Sequence, residues 1–136
     1  MTDVFADAAY WVALINPRDQ LHGRARESSA LVVGGRIVTS EWVLTELLNC
    51  FAASRPYLRT AASDAVASLR SSADVVIVPQ TSSGFWDAFR HYREMTDKGW
   101  SLTDCSSFSI MRQYGIDAAL TYDKHFEQAG FNALLR

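Results

Sequence analysis

Cysteine and histidine are scarce in this 136-residue chain, and their spacing argues against the common transition-metal sites. The 2 cysteines, Cys50 and Cys105, lie far apart and form no CxxC pair. A disulfide framework is therefore not expected, and two cysteines are too few for a cysteine-bound zinc site. The 3 histidines, His22, His91 and His125, match neither HExxH nor a similar ligand spacing, so a histidine metal site is not expected either.

Long apolar runs are also missing. The longest extends only over Ala8–Ile15, whereas a membrane-spanning helix needs about 20 apolar residues. The N-terminus carries Asp3 and no basic cluster, unlike a secretory signal peptide. These features predict a protein that does not enter the membrane and works in the cytoplasm.

An excess of charge of either sign is absent as well. Charged residues make up 21% of the chain, the net charge is −2, and 49% of the residues are hydrophobic. This composition is typical of a globular protein, and the length predicts a single domain over residues 1–136. The charge does not indicate nucleic-acid binding. If four acids were neutralised by bound cations, however, the remaining charge would be positive and would permit a polyanionic partner.

Strand-like and helix-like segments alternate along the chain. Strands are predicted at Val4–Ala6, residues 36–39, Val75–Val78, residues 118–121 and, last, residues 131–134. Seven helices are predicted between them. The first four cover Ala8–Ile15, residues 20–33, the segment after the N-cap Ser40, and the segment from Pro56 to about Arg70. The last three run from Ser82 or Ser83 to Lys98-Gly99, from Ser101 or Thr103 to Tyr114, and over Lys124–Gln128. This order predicts an α/β fold, a three-layer α/β/α arrangement with a mostly parallel central sheet.

Apolar spacing also predicts core residues. In the helix after Ser40, Leu44, Leu47, Leu48 and Phe51 lie at the spacing of a buried face. Val75–Val78 consists of β-branched residues only, which predicts a buried strand.

Four acids lie where such a fold would form a site. Asp7 ends the first strand, and Asp123 follows the fourth strand after one intervening residue. Ligands of open parallel sheets bind outside the carboxyl ends of the strands, where these two acids meet. Asp104 lies in the first turn of its helix, and Glu46 lies on a mixed, partly apolar helix face. Crowded carboxylates repel one another, and hard divalent cations that prefer oxygen ligands relieve this repulsion.

Each acid also has a simpler interpretation. Asp7 and Asp123 fit helix N-caps, and Asp104 fits a capping box with Ser101. Glu46 fits an ion pair with a basic residue of a neighbouring helix. The residues alone therefore indicate a possible magnesium phosphotransfer site and leave these alternatives open.

The stretches around the acids resemble the PIN-domain family, including the VapC-type toxin nucleases. The similar stretches are VFADAAYWVAL at residues 4–14, the DQLH segment at residues 19–22, VLTELL at residues 43–48, SLTDCSSF at residues 101–108, ALTYDKHF at residues 119–126 and the Gly130-Phe131 pair. The resemblance spans essentially the whole chain and keeps the acids in the family's order. It departs at Ser106, Ser107 and Ser109, where hydrophobic residues or alanine are more usual.

The resemblance implies both a fold and an activity. Asp7, Glu46, Asp104 and Asp123 become the metal-binding and catalytic acids for Mg²⁺ or Mn²⁺, and Thr103 supports them through its hydroxyl. The implied reaction is hydrolysis of RNA phosphodiester bonds by an activated water, which leaves a 5′-phosphate and a 3′-hydroxyl. The implied partners are RNA, an antitoxin protein that inhibits the toxin, and a second copy in a homodimer.

Other functions were weighed against this one. A catalytically silent PIN-like interaction module remains the main alternative. A receiver-like domain needs an Asp where the third strand ends in Val78-Pro79, and a haloacid dehalogenase-type phosphatase needs an acid where Ala9 stands. Gly34-Gly35 lacks the spacing of a nucleotide-binding loop.

Basic and aromatic residues add two further expectations. Arg90 and Arg93, with Lys98 after them, fit either contacts to RNA phosphates or a solvated helix face. The second is favoured because Asp87, Glu94 and Asp97 are interleaved with them. At least one of Trp11, Trp42, Trp86 and Trp100 is expected on a dimer or partner surface.

Overall fold

The computed structural model describes residues 2–136 as five strands and seven helices in alternating order. The strands are β1 (Val4–Ala6), β2 (Ile37–Ser40), β3 (Val75–Val78), β4 (Ala118–Leu120) and β5 (Asn132–Ala133). The helices are α1 (Ala8–Ile15), α2 (His22–Leu31), α3 (Glu41–Cys50), α4 (Pro56–Ser71), α5 (Ser82–Glu94), α6 (Leu102–Tyr114) and α7 (Lys124–Gln128).

The strands form one sheet in the order β3-β2-β1-β4-β5, and each neighbouring pair is parallel. Helices α1 to α4 pack mainly against one another, and α5 to α7 form a second group. The structure thus has the α/β fold with a parallel sheet between helices that the alternating pattern predicts.

The core is centred on β1. All three of its residues are buried because neighbouring strands flank it on both sides and helices cover it, as is usual for a central parallel strand. Around it pack the fully buried rings of Tyr10, Phe108 and Phe126. The ring centroids of Phe108 and Phe126 lie 5.0 Å apart with an edge-to-face geometry. The Phe126 ring also lies 6.4 Å from that of Phe5, so this packing holds α6 and α7 against the central strand.

Helix ends differ most from the sequence prediction. The N-cap of α5 is Thr81, whose hydroxyl accepts a hydrogen bond from the Gly84 amide, and not Ser82 or Ser83. The helix also ends at Glu94, before the predicted Lys98-Gly99 stop, because residues 95–98 turn so that Trp100 can pack against Phe108. Two other predicted caps are confirmed: Ser40 begins α3 and Ser101 begins α6.

Two burial predictions were wrong. Val75–Val78 is only half-buried, because β3 is the edge strand of the sheet and not one of its interior strands. Leu48 is exposed, while Leu44, Leu47 and Phe51 are buried as predicted. Within residues 2–136 the longest helix, α4, has 16 residues, and no helix is long and apolar enough to cross a bilayer.

Candidate active site

Asp7 and Asp123 lie at the carboxyl edge of the sheet. Asp7 directly follows β1, and its amide donates to the carbonyl of Leu120 at the end of β4 over 3.2 Å. Asp123 comes three residues after Leu120, so the parallel pairing of β1 with β4 brings both acids to one edge. The sequence order and the strand pairing together account for this juxtaposition.

The hydroxyl of Thr121 connects these two acids. It donates a 2.9 Å hydrogen bond to Oδ2 of Asp7 and accepts one of 3.1 Å from the Asp123 amide. Thr121 is fully buried, and its bond to Asp7 is shielded from water. The role of Thr121 could not be predicted from the sequence, because it depends on a contact between distant parts of the chain.

Asp104 has both a structural and a site-forming role. It completes the predicted capping box: its amide donates to Oγ of Ser101, and its Oδ2 accepts from the Ser101 amide, both over 3.0 Å. The same Oδ2 lies 3.0 Å from Nδ1 of His125. The residue is buried, and α6 therefore begins with its first-turn carboxylate facing the other acids.

His125 joins Asp104 to Asp123. Its Nδ1 lies 3.0 Å from Asp104 Oδ2 and 3.3 Å from Asp123 Oδ1. Ionised carboxylates only accept hydrogen bonds, so Nδ1 carries the proton when both acids are charged. The ligand atoms of these three residues all lie within 4.8 Å of one another. His125 is a site residue that was not predicted from the sequence, although its position two residues after Asp123 was a usable signal.

Glu46 approaches the same group from α3. The residue as a whole is exposed, but its carboxylate lies close enough to Asp104 and Asp123 to feel their charges. The Thr103 hydroxyl lies near it and favours its ionised form. The structure therefore brings all four predicted acids together, with Thr103 beside Glu46.

The crowding of these acids shifts their titration. Burial, with the charges of Asp104 and Glu46, raises the pKa of Asp7 from its ordinary value of 3.8 to about 7. Burial is also the main reason why the pKa of Asp104 is raised, and the charge of Asp123 adds to it. Desolvation of its carboxylate and the neighbouring acids raise the pKa of Glu46. The fully ionised cluster is thus unfavourable without a positive charge among its oxygens.

The donor set fits a hard divalent cation. Four carboxylates offer the oxygen ligands that Mg²⁺ and Mn²⁺ prefer. His125 fits better as a hydrogen-bond donor that orients two of these carboxylates than as a ligand of Mg²⁺, for which imidazole is a poor match.

The simpler interpretations of the acids are partly correct. Asp104 and Asp123 do cap α6 and α7. Asp7 occupies the N-cap position of α1 but makes no side-chain capping bond. Among residues 2–136, no ion pair involves Glu46. Capping therefore accounts for the positions of Asp104 and Asp123, but it does not explain why all four acids converge.

The four tryptophans differ in exposure. Trp11, Trp42 and Trp100 are buried, whereas 60% of Trp86 is exposed on α5. On the same helix Arg90 pairs with Asp87, as expected for a solvated helix face.

Known proteins resemble this chain in both sequence and fold. The PIN domain family model matches residues 4–132. The 23S rRNA-specific endonuclease VapC20 of Mycobacterium tuberculosis is 33% identical over 134 residues, which cover 94% of this chain and 95% of that protein. Its crystal structure, described as that of a sarcin-ricin loop cleaving toxin, matches with a TM-score of 0.82 and 30% identity over 94% of this chain and 95% of that one.

A second solved structure, FitAcB from Neisseria gonorrhoeae, matches with a TM-score of 0.63. It covers 96% of this chain and 94% of its own, but its identity of 13% supports the fold alone. The family model and the VapC20 match each span nearly the whole chain. The chain belongs to the PIN-domain family.

Proposed function

We propose that residues 1–136 act as one nuclease domain, an endoribonuclease that needs Mg²⁺ or Mn²⁺ and serves as the toxin of a toxin–antitoxin pair. The observation that carries this proposal is the convergence of Asp7, Glu46, Asp104 and Asp123 from four separate parts of the chain at one sheet edge. Structural capping does not require such a meeting, whereas metal-dependent phosphodiester hydrolysis uses clustered oxygen ligands to hold its cation.

The chemistry divides between the cation and the chain. A divalent cation held by the four acids would supply Lewis acidity for the attack of water on a phosphodiester. The chain holds the carboxylates in place: Thr121 fixes Asp7, and His125 fixes Asp104 and Asp123. The two connectors remove rotational freedom from the acids, which is how residues behind a metal site sustain its affinity.

Ribosomal RNA is the substrate that we propose first. The similarity to VapC20, whose name specifies 23S rRNA, covers nearly the whole of both proteins. An enzyme with this substrate would work in the cytoplasm, as the sequence analysis predicts. The site opens to solvent on the side of Glu46, which is exposed, and Asp123, which is half-buried, whereas Asp7 and Asp104 lie buried behind them.

We also infer that α5 forms a protein contact, in a homodimer or with an antitoxin. This helix has three exposed aromatic residues: Trp86 is 60% exposed, Phe89 36% and Tyr92 52%. Exposed aromatic rings on one helix are typical of protein interfaces, where burial of large apolar side chains stabilises association.

Cleavage of purified 23S rRNA tests the proposal. We expect cuts that need Mn²⁺ or Mg²⁺, mapped by primer extension, and their complete loss in Asp7→Asn and Asp104→Asn. Asp64→Asn, which removes an exposed acid of α4, is the matched control and should cut normally. Folded protein that binds 23S rRNA without cutting it at any metal concentration would favour the silent interaction module instead.

A further inference from the structure

A cleft of about 450 Å³ adjoins the acidic site at the carboxyl edge of the sheet. Its lining comes from two sides: the turn before α2 and the first turns of α2 on one side, and the end of β4 on the other. The lining residues are Asp19, Gln20, Leu21, Arg24 and Tyr122. Tyr122 directly precedes Asp123 and directly follows Thr121, so one wall of the cleft is continuous with the acidic site.

Arg24 brings positive charge to this cleft. Its Nη1 donates a 2.7 Å hydrogen bond to the carbonyl of Leu135, which fixes the guanidinium against the end of the sheet. No carboxylate within residues 2–136 forms an ion pair with it. The charge of Arg24 is therefore free to interact with an anion, and its planar group has further N–H donors for one.

Tyr122 brings an aromatic ring whose orientation is fixed. The guanidinium carbon of Arg136 lies 5.1 Å from the ring centroid, and Nη1 of Arg136 donates to the Tyr122 carbonyl over 3.0 Å. Glu127 holds Arg136 in turn through a 2.9 Å ion pair. Tyr122 as a whole is 45% exposed, so it offers area for stacking beside the cleft.

Asp19 is the acid of this lining, and within residues 2–136 it forms no ion pair with Arg24. Its Oδ1 accepts a 2.8 Å hydrogen bond from the Leu21 amide and so stabilises the turn before α2. Arg24 lines the cleft from the first turn of α2. Arg24 and Tyr122 remain as one cationic and one aromatic group beside a nuclease site.

We propose that this cleft is an RNA subsite in which a base stacks on Tyr122 while a phosphate of the same strand contacts Arg24. The proposal rests on the proposed nuclease function. Proteins that hold unpaired RNA combine aromatic stacking with a guanidinium at the backbone, and this cleft supplies both groups next to the cutting site. A protein segment would bind this pair of groups less favourably than RNA, because it does not carry aromatic bases and phosphates at regular intervals.

Binding of a short fluorescein-labelled RNA hairpin with an unpaired loop tests the subsite. The full chain would be measured by anisotropy in Ca²⁺, which occupies oxygen sites without strong Lewis acidity. Arg24→Gln keeps a donor for the Leu135 carbonyl and removes the charge. We expect it to weaken binding about five- to tenfold and to lower the slope of log K against log salt by about 0.7 to 1.

Tyr122 is tested independently. Tyr122→Ala should weaken binding by about fivefold or more, while Tyr122→Phe keeps the ring and should stay within about twofold of the wild type. Arg70→Ala is the matched charge control, since Arg70 ends α4 near the amino edge of the sheet, away from the cleft. Circular dichroism of each variant verifies that it is folded.

The outcomes separate this subsite from the nuclease function. Wild-type affinity in both folded Arg24→Gln and Tyr122→Ala would overturn the subsite, even if 23S rRNA is cut normally. Weakened hairpin binding in these variants, in a protein that cuts no RNA, would support the subsite and overturn the proposed activity. If both hold, the two variants should raise the KM for RNA cleavage and leave kcat nearly unchanged.

Discussion

Thr121 and Asp7 are joined by a buried 2.9 Å hydrogen bond between the end of β4 and the end of β1. The donor is the Thr121 hydroxyl, which also accepts from the Asp123 amide. This one oxygen therefore sets the distance between two of the four acids.

Replacing Thr121 by valine should damage the site while keeping the shape of the core. Thr121→Val leaves the buried Asp7 carboxylate without its donor, and loss of such an orienting partner typically costs about 10- to 100-fold in metal affinity or activity. Thr121→Ser keeps the hydroxyl and should lie close to the wild type. Mn²⁺ titrations by calorimetry would measure this, and equal affinity in Thr121→Val and the wild type would contradict the role given to the bond.

Stability of the metal-free protein should fall as the pH rises from about 4 to about 7. The pKa of Asp7 is 3.8 in an ordinary environment and about 7 in the folded protein, so the folded state binds the extra proton within this window. Within this window folding takes up a proton, and this uptake becomes less favourable as the pH rises. The free energy of unfolding therefore falls by up to about 4 kcal/mol across the window. Urea unfolding in EDTA at several pH values measures this slope.

Asp7→Asn is the variant that isolates this effect. It should be less sensitive to pH between 4 and 7 than the wild type, because the amide does not titrate. Asp64→Asn, at an exposed position, should keep the wild-type slope. If the free energy of unfolding depends on pH in the same way in Asp7→Asn and in the wild type, Asp7 is not the group responsible.

Divalent metal should raise the melting temperature. At Mn²⁺ concentrations about 100 times the dissociation constant, binding stabilises a protein by about 2.7 kcal/mol, which raises Tm by roughly 5 °C or more in a chain of this size. Glu46→Gln and Asp7→Asn should lose most of this shift. Asp64→Asn should retain it, and a wild-type protein whose Tm is insensitive to millimolar Mn²⁺ would count against the metal site.

His125 should matter for metal affinity more than for folding. His125→Gln removes the group that bridges Asp104 and Asp123, and we expect the Mn²⁺ concentration for half-maximal cleavage to rise about 10- to 100-fold. Excess Mn²⁺ should restore most of the rate. His91→Gln, on α5, serves as the control, and an identical metal dependence in both variants would exclude a positioning role for His125.

The exposed aromatic residues of α5 should control self-association. Trp86→Ser removes the most exposed tryptophan of the helix and should shift a dimer towards monomer in sedimentation velocity, without loss of thermal stability in the monomer. Tyr57→Ser, which removes another exposed ring from α4, should leave the oligomeric state unchanged. If the wild-type protein is already monomeric, this surface does not form a homodimer, and an antitoxin becomes the expected partner.

Local patterns predicted the fold because the relevant forces act over short distances. β1, the Ser40 cap and the capping box of Ser101 and Asp104 follow from side chains within a few residues of each other. The end of α5 did not follow, since Trp100 packing against Phe108 determines where the chain turns. Leu48 lay at core spacing, but no neighbouring element covers it.

The candidate site was predictable in its acids and not in its connectors. The parallel pairing of β1 with β4 brings Asp7 beside Asp123. The alternation of strands and helices in the sequence predicted such a parallel sheet. Thr121 and His125 act through contacts across the fold, and the nearness of His125 to Asp123 in the sequence was the one signal for either of them. The roles of all four acids and of Thr103 as metal-site residues stay predictions until metal binding is measured.

The link between Asp7 and Thr121 spans 114 positions of the polymer, which has a consequence during synthesis. The amino-terminal acid leaves the ribosome early but lacks its partner until the fourth strand has emerged and inserted beside the first. Each copy therefore completes the link between these two strands only after most of the chain has been synthesised.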